Sequence, residues 1–256
     1  MSIVSNPLKV PNIFGEQLDV VIQGKENSNS IIIFVHGFGT DKNEGLNFFE
    51  DIAQELQQDH LILRYDGSGF GKSEGNTKTF SVAKGIQDFH SILNYVREKY
   101  PNFKKQIIAH SMGMYYVVAH FPLDISLCLF TGLPNTKGEE LKKALITRIQ
   151  NSGGKYIEEG ISTYKRSSGL IQEFSSDFFK SLEHFDGLKN ISYVILEKKK
   201  KIKMFKPLQD EIVTHSDFSA FKELLKDNFI ELNGDHNFSN KDDREVLIGH
   251  LKKEVM

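Results

Sequence analysis

The sequence contains no tryptophan, one cysteine and six prolines in 256 residues. A lone cysteine, Cys128, excludes an intrachain disulfide, and its place in an apolar run over residues 125–130 reads as a small core side chain. Charge of one sign is also lacking: 32 basic residues stand against 34 acidic ones, a net −2. No global field then favours nucleic acid or an anionic membrane. No apolar run approaches the ~18 residues that suggest a membrane span, and no N-terminal stretch has the basic-then-apolar build of a secretion signal. A cytoplasmic location is expected, with no nucleic-acid partner and no stable membrane insertion; the oligomeric state is left open. Internal repeats and long low-complexity segments are missing too. The lack of tryptophan bears on packing and says nothing about function.

The length fits one large α/β domain or two small ones and allows a substantial core. Residues 18–23 alternate weakly and suggest an early strand, antiparallel at a sheet edge. Residues 31–35 (Ile-Ile-Ile-Phe-Val) and 61–65 (Leu-Ile-Leu-Arg-Tyr) are too short for helices and read as strands buried on both faces. Residues 47–57 and 80–100 carry apolar side chains at helical spacing, and residues 127–130 give a further strand. From Pro134 to about Gly187, helical fragments (139–150 and 176–185) appear without buried strands, broken at Gly153-Gly154 and Ser167-Ser168-Gly169. This predicts a helical cap, residues 134–187, inserted in a core made of residues 1–133 and 188–256. Residues 191–196 resume the strand pattern. Residues 219–226, 229–232 and 243–255 then read as helix, strand, helix. Such alternation predicts an α/β fold with a mostly parallel, doubly wound sheet.

One stretch organises the rest: Gln-Ile-Ile-Ala-His-Ser-Met-Gly-Met-Tyr-Tyr-Val-Val-Ala, residues 106–119. An apolar run ends at Ser111 and a helix-compatible run starts after it, so Ser111 stands at the apex of a strand–turn–helix. There its hydroxyl is pushed outward, and the following N–H groups and the helix terminus face the same space. This is the nucleophile-elbow arrangement G-x-S-x-G, with Ala109 in place of the first glycine and Gly113 kept. The alternative role of Ser111 is a helix N-cap.

Three further segments join it. Val35-His36-Gly37-Phe38-Gly39 resembles an H-G-x-G oxyanion loop. Arg64-Tyr65-Asp66-Gly67-Ser68-Gly69-Phe70-Gly71-Lys72-Ser73 resembles an R-x-D-x-x-G-x-G-x-S loop. Asn233-Gly234-Asp235-His236-Asn237-Phe238 resembles a G-x-x-H-x-F segment. In their joint order over roughly 200 residues the chain resembles the α/β-hydrolase superfamily. The likeness is to its serine-hydrolase branch of cinnamoyl and feruloyl esterases, monoacylglycerol lipases and serine aminopeptidase-like hydrolases.

The resemblance implies an α/β-hydrolase fold and a Ser-His-acid triad. Ser111 would be the nucleophile, His236 the base, and the backbone N–H groups of Phe38 and Met112 the oxyanion hole. The acid should follow the strand at 191–196. Asp210, in Asp210-Glu211-Ile212-Val213, fits the family wording, though the connection then runs about ten residues long and lacks a turn glycine. Glu197 and Glu211 are the alternatives, and Asp235 is too close in sequence to face the His236 ring.

The expected reaction is hydrolysis of a carboxylic ester of a small or medium acyl substrate. A thioesterase, an amidase or peptidase, and a weakened binding protein on the same fold stand as alternatives. No metal or organic cofactor is implied. His36 and His110 are expected to pack or bond beneath their turns. His60, His90, His120, His184, His215 and His250 show no pattern, and none has the spacing of a zinc motif. Asp66 reads as a loop brace rather than a catalytic acid. The six lysines of residues 198–206 read as a solvated hairpin or loop, with an anion-binding patch as the alternative. The aromatics Tyr156, Tyr164, Phe174, Phe178 and Phe179 either line an acyl pocket or form a small core of their own.

Overall fold

The computed structural model describes residues 3–166, 169–198, 200–214 and 216–256. An eight-stranded sheet runs through it in the order β1-β2-β4-β3-β5-β6-β9-β10. Its first strands are β1 (Ile3–Pro11), β2 (Gln17–Lys25), β3 (Ser30–Val35) and β4 (Leu61–Tyr65), and its middle strands β5 (Lys104–His110) and β6 (Ile125–Thr131). At the far edge stand β9 (Lys201–Pro207) and β10 (Phe229–Leu232). Strands β1, β2 and β4 pair antiparallel, and every later pairing is parallel.

Side chains alternate across β3 and thereby divide the core in two. Ile31, Ile33 and Val35 join the layer of helices α2 (Val82–Lys99) and α3 (Gly113–Ala119). Ile32 and Phe34 join the opposite layer of α1 (Phe48–Leu56) and α8 (Lys241–Val255). Covering both faces is what makes β3 read as an unbroken apolar run. Among the described residues no helix is long and apolar enough to cross a membrane.

The early strand at 18–23 is β2, but it is not at an edge: β1 lies outside it. Strand β1 contains Pro7 and Pro11, which weaken its strand signal and are tolerated where one side of the ladder has no partner.

The segment after Pro134 holds α4 (Gly138–Asn151) and α5 (Ser176–Glu183), as expected, but also a hairpin of β7 (Ile161–Lys165) and β8 (Ile171–Ser175) and a further helix, α6 (Gly187–Ser192). The hairpin has period-two burial, yet its buried positions include Ser162 and Gln172 while Ile161 and Ile171 face solvent. Its hydropathy alternation is thus inverted and gives no strand signal. Of the expected break there, Gly169 is in the left-handed region at φ 87°, while Ser167 and Ser168 lie outside the described residues.

The strand expected at 191–196 is a correction. Those residues finish α6 and continue into a wide helical turn, Tyr193–Glu197. Asp186 caps α6, its carboxylate accepting the Lys189 N–H at 3.0 Å. Ile191 and Val194 are buried three residues apart while Tyr193 and Leu196 are about half exposed, which is helical periodicity in a short β-branched run.

The strand itself is β9, inside the lysine run that was expected to be a loop. Ile202 and Met204 point to the core on one parity. Lys201 and Lys203 stand on the other and pair with Glu254 of α8 at 3.1 and 2.5 Å. Lys199 and His215 lie outside the described residues. Truncation separates the two registers: Met204→Ala is expected to lower the urea-unfolding free energy by about 2–5 kcal/mol. Leu196→Ala, at a half-exposed site, should change it by no more than about 0.5 kcal/mol.

Candidate active site

Four loops leave the carboxyl ends of parallel strands and therefore meet at one edge of the sheet. Strand β3 delivers His36, Gly37 and Phe38; β5 delivers Ser111; β9 delivers Asp210; β10 delivers His236. With β9 at Lys201–Pro207, Asp210 follows its strand after two intervening residues, and the overlong connection disappears. Glu197 precedes β9 and is separated from that edge by about 20 Å of strand.

Ser111 sits in the left-handed region at φ 49°, a conformation that costs a non-glycine residue about 1–3 kcal/mol and must be held by its surroundings. The Ser111 N–H donates to the Thr131 carbonyl at 3.0 Å, and the Ser111 carbonyl accepts the Met114 N–H at 3.1 Å. Helix α3 crosses so close to β3 that a Cβ at Gly113 would lie 2.3 Å from the Val35 carbonyl oxygen. The second glycine of the elbow is therefore required by contact, while Ala109, fully buried in β5, fits where the first would stand.

His236 is buried, and its Nδ1 lies 2.8 Å from Asp210 Oδ2. The other carboxylate oxygen of Asp210 accepts the N–H groups of Ile212 and Val213 at 2.9 and 2.8 Å. Burial works against the ionised carboxyl, but the His236 hydrogen bond and these two N–H groups outweigh it and hold its pKa below the ordinary value. An ionised Asp210 can only accept, so the Nδ1 atom of His236 is the donor of this bond. Glu211 does not touch the ring: its carboxylate accepts the His236 backbone N–H at 3.1 Å. Asp235 turns to the Ser239 N–H at 2.8 Å.

Ser111 and His236 line one chamber of about 60 Å³, together with Phe38, Met112, Glu44 and Arg166 among others. It adjoins a groove of about 840 Å³ between α4 and residues 211–214; Leu141, Leu145, Arg148 and Ile212 border both. Among the described residues the backbone N–H groups of Phe38 and Met112 meet no protein acceptor.

The Phe38 ring packs against Phe174 and Phe178 at 4.7 and 4.8 Å and stacks on Tyr164 at 6.4 Å. Phe174, Phe178 and Phe179 are buried and, like Tyr156 and Tyr164, do not line the chamber. These aromatics form a core that fixes the oxyanion loop.

The two other histidines of the motifs are spoken for. His36 bridges loops: its Nδ1 meets the Gly37 carbonyl at 2.8 Å and its Nε2 accepts the Gly67 N–H at 2.9 Å. His110 lies between Thr131 Oγ1 and Asn237 Oδ1, both at 3.1 Å, with its ring edge-on to His236 at 4.9 Å. Asp66 is fully buried and takes the N–H groups of Lys42 and Lys72 and the Lys42 ammonium at 2.7–2.8 Å, which is the bracing role. Among the described residues no cluster of three or more His, Cys, Asp or Glu is arranged to hold a metal.

Four chamber residues occupy no defining position of the sequence motifs. Glu44 is buried at φ 59° and its carboxylate accepts the Gly37 N–H. Asn237 holds His110. Arg148 lies on the same face of α4 as Leu141 and Leu145, and a charge on an apolar helix face was the available sign. Arg166 follows β7, with no periodicity to mark it.

Residues 26–125 match a family model described as serine aminopeptidase, S33, a span that includes the oxyanion loop, the glycine-rich loop and Ser111 but not Asp210 or His236. Solved structures match over nearly the whole chain. An esterase from Pyrococcus furiosus aligns at TM-score 0.68 and 16% identity, covering 98% of this chain and 91% of that one. The esterase domain of a Rhodothermus marinus protein aligns at 0.68 and 17%, covering 98% and 96%. The chain has the α/β-hydrolase fold. Mouse α/β hydrolase domain-containing protein 10 shares this fold at TM-score 0.65 and 18% identity, covering 98% of each chain. Comparison of the sequence with curated proteins finds no match.

Within this fold, burial pushes the His110 pKa down to about 4, with the neighbouring His236 acting the same way and Glu44 and Asp210 opposing. The unfolded chain therefore binds this proton first. The stabilisation is complete above the ordinary value of 6.5 and is lost as pH falls toward about 4, amounting to about 3 kcal/mol at full extent. His60 and His90 are lowered by burial and add in the same direction. Urea unfolding at pH 7 and pH 4.5 is expected to show a smaller loss on acidification for His110→Asn than for the wild type.

Proposed function

We propose that this protein is a serine hydrolase that cleaves a carboxylic ester of a small or medium acyl substrate. One observation carries the reading: Asp210 orients His236 at 2.8 Å, and His236 shares a small chamber with a serine held at a left-handed apex. Ser111 Oγ attacks the acyl carbon while His236 Nε2 takes its proton. Asp210 stays ionised, fixes the tautomer and stabilises the imidazolium. The oxyanion falls to the N–H groups of Phe38 and Met112, donors each worth on the order of 3 kcal/mol in the transition state. The imidazolium gives its proton to the departing alcohol. Water, deprotonated by His236, then releases the acid and restores Ser111.

The match to a serine aminopeptidase model over residues 26–125 favours a second reading, an amide substrate handled by the same three residues. The esterases of similar structure are under 20% identical and support the fold that both readings share. A thioester substrate and a weakened, binding-only site complete the alternatives.

A panel of p-nitrophenyl esters from acetate to palmitate tests the proposal, and the small chamber leads us to expect the optimum among short acyl chains. Ser111→Ala should reduce turnover to background and abolish fluorophosphonate labelling. Asp210→Asn should cost about 10³–10⁴-fold in kcat, while Glu197→Gln should be nearly silent. Amide turnover with none on esters would select the second reading. Absent labelling in the folded wild type would overturn both.

A further inference from the structure

The chamber around Ser111 holds more positive charge than the fold neutralises. Its lining contains two guanidinium groups, Arg148 and Arg166, and one carboxylate, Glu44, which already accepts the Gly37 N–H. Both guanidiniums stand against one ring: the Cζ atoms of Arg148 and Arg166 lie 5.7 and 5.1 Å from the centre of Tyr164. A neutral phenol ring attracts a cation but does not discharge it.

Elsewhere four interior cations are paired with carboxylates, while buried Lys105 donates to the Pro101 and Phe103 carbonyls at 3.2 Å. Lys42 holds Asp19 and Asp66, Arg64 holds Glu50, Lys84 holds Glu16 and Arg244 holds Asp51. Among the described residues neither Arg148 nor Arg166 has a carboxylate within 4.0 Å. The Nη1 atom of Arg166 is sequestered from solvent with no hydrogen-bond partner. Burial lowers the Arg166 pKa and the proximity of Arg148 lowers it further, against the pull of Tyr164 and Glu44. A buried cation in this state is costly unless an anion joins it.

We propose that the two arginines bind a carboxylate on the acyl part of the substrate, so that the preferred ester is the half-ester of a short dicarboxylic acid. The inference rests on the serine-hydrolase reading and narrows it. Arg166 borders the chamber and not the adjoining groove, so an anion held by both arginines sits beside Ser111, and the proposal assigns this side to the acyl part and the groove to the alcohol. Leu141, Leu145 and Val213 give the chamber apolar wall for the intervening methylenes. The volume of about 60 Å³ limits the chain to a few carbons. A planar guanidinium suits a carboxylate through paired charge-assisted hydrogen bonds.

Two measurements test this, one independent of turnover. First, kcat/KM is compared for mono-p-nitrophenyl glutarate and p-nitrophenyl valerate, which match in chain length. The Ser111→Ala protein serves as blank, because such half-esters also cyclise spontaneously. The wild type should prefer the half-ester by about tenfold or more, mainly in KM, the size expected of hydrogen bonds to a charged group. Arg148→Gln and Arg166→Gln should each bring that ratio toward one, and Arg166→Lys should restore part of it.

Second, free glutarate should raise the melting temperature of Ser111→Ala, and should not do so once Arg148→Gln and Arg166→Gln are added. A wild-type preference for the neutral ester, equal losses on both esters in the arginine variants, or no glutarate-dependent shift would overturn the proposal. Failure of fluorophosphonate labelling alongside a glutarate shift would instead remove the hydrolase reading and leave the anion site standing.

Discussion

The left-handed backbone of Ser111 is the constraint on which the rest of this site depends. A serine does not adopt φ 49° unaided, and the surroundings that hold it come from three directions. Strand β6 accepts its N–H through the Thr131 carbonyl, helix α3 donates the Met114 N–H to its carbonyl, and Gly37 approaches so closely that a Cβ there would lie 3.0 Å from the Ser111 Cβ. The same crowding fixes Gly113 against Val35. Loss of any of these contacts would relax the turn and move the hydroxyl with it.

Around that turn the protein keeps its polar groups in fixed protonation states. His110 is neutral because it is buried, and its two nitrogens are consumed by Thr131 and Asn237. It can therefore pack against His236 without adding a second charge beside the proposed base. Asp210 remains ionised although buried, because three donors converge on it. The loop carrying Phe38 is held by the core itself: its ring is clasped by Tyr164, Phe174 and Phe178 in the same buried cluster as α2 and α3, so the segment after Pro134 also sets the loop proposed to bind the oxyanion. Tyr164 serves twice, since its ring also seats the two arginines.

The strands buried on both faces were legible because both sheet faces are covered by helices, which leaves continuous apolar runs at β3 and β4. Misreading arose where tertiary pairing replaced local hydropathy. In β9 the lysines occupy the parity that faces α8, and Glu254 compensates them, so a strand carries the composition of a loop. In the β7–β8 hairpin the buried parity includes polar Ser162 and Gln172, and the outward parity includes exposed Ile161 and Ile171. In residues 191–196 a short β-branched run meets a capped helix, a case that periodicity does not resolve over so few residues.

By itself the sequence determined the order of the chemistry along the chain: a glycine loop after one strand, a serine elbow after another, a histidine loop after the last. Short-range backbone demands write these signals, since a tight turn admits few residues. Only the tertiary structure decided which carboxylate meets His236, because Asp210 and Glu197 differ by which end of β9 they occupy, and that required the true register of the strand. It alone brought Arg148, Arg166 and Glu44 to Ser111. These residues come from a helix, a hairpin and a loop far apart in sequence, and nothing in local propensity encodes a meeting that depends on how the elements pack.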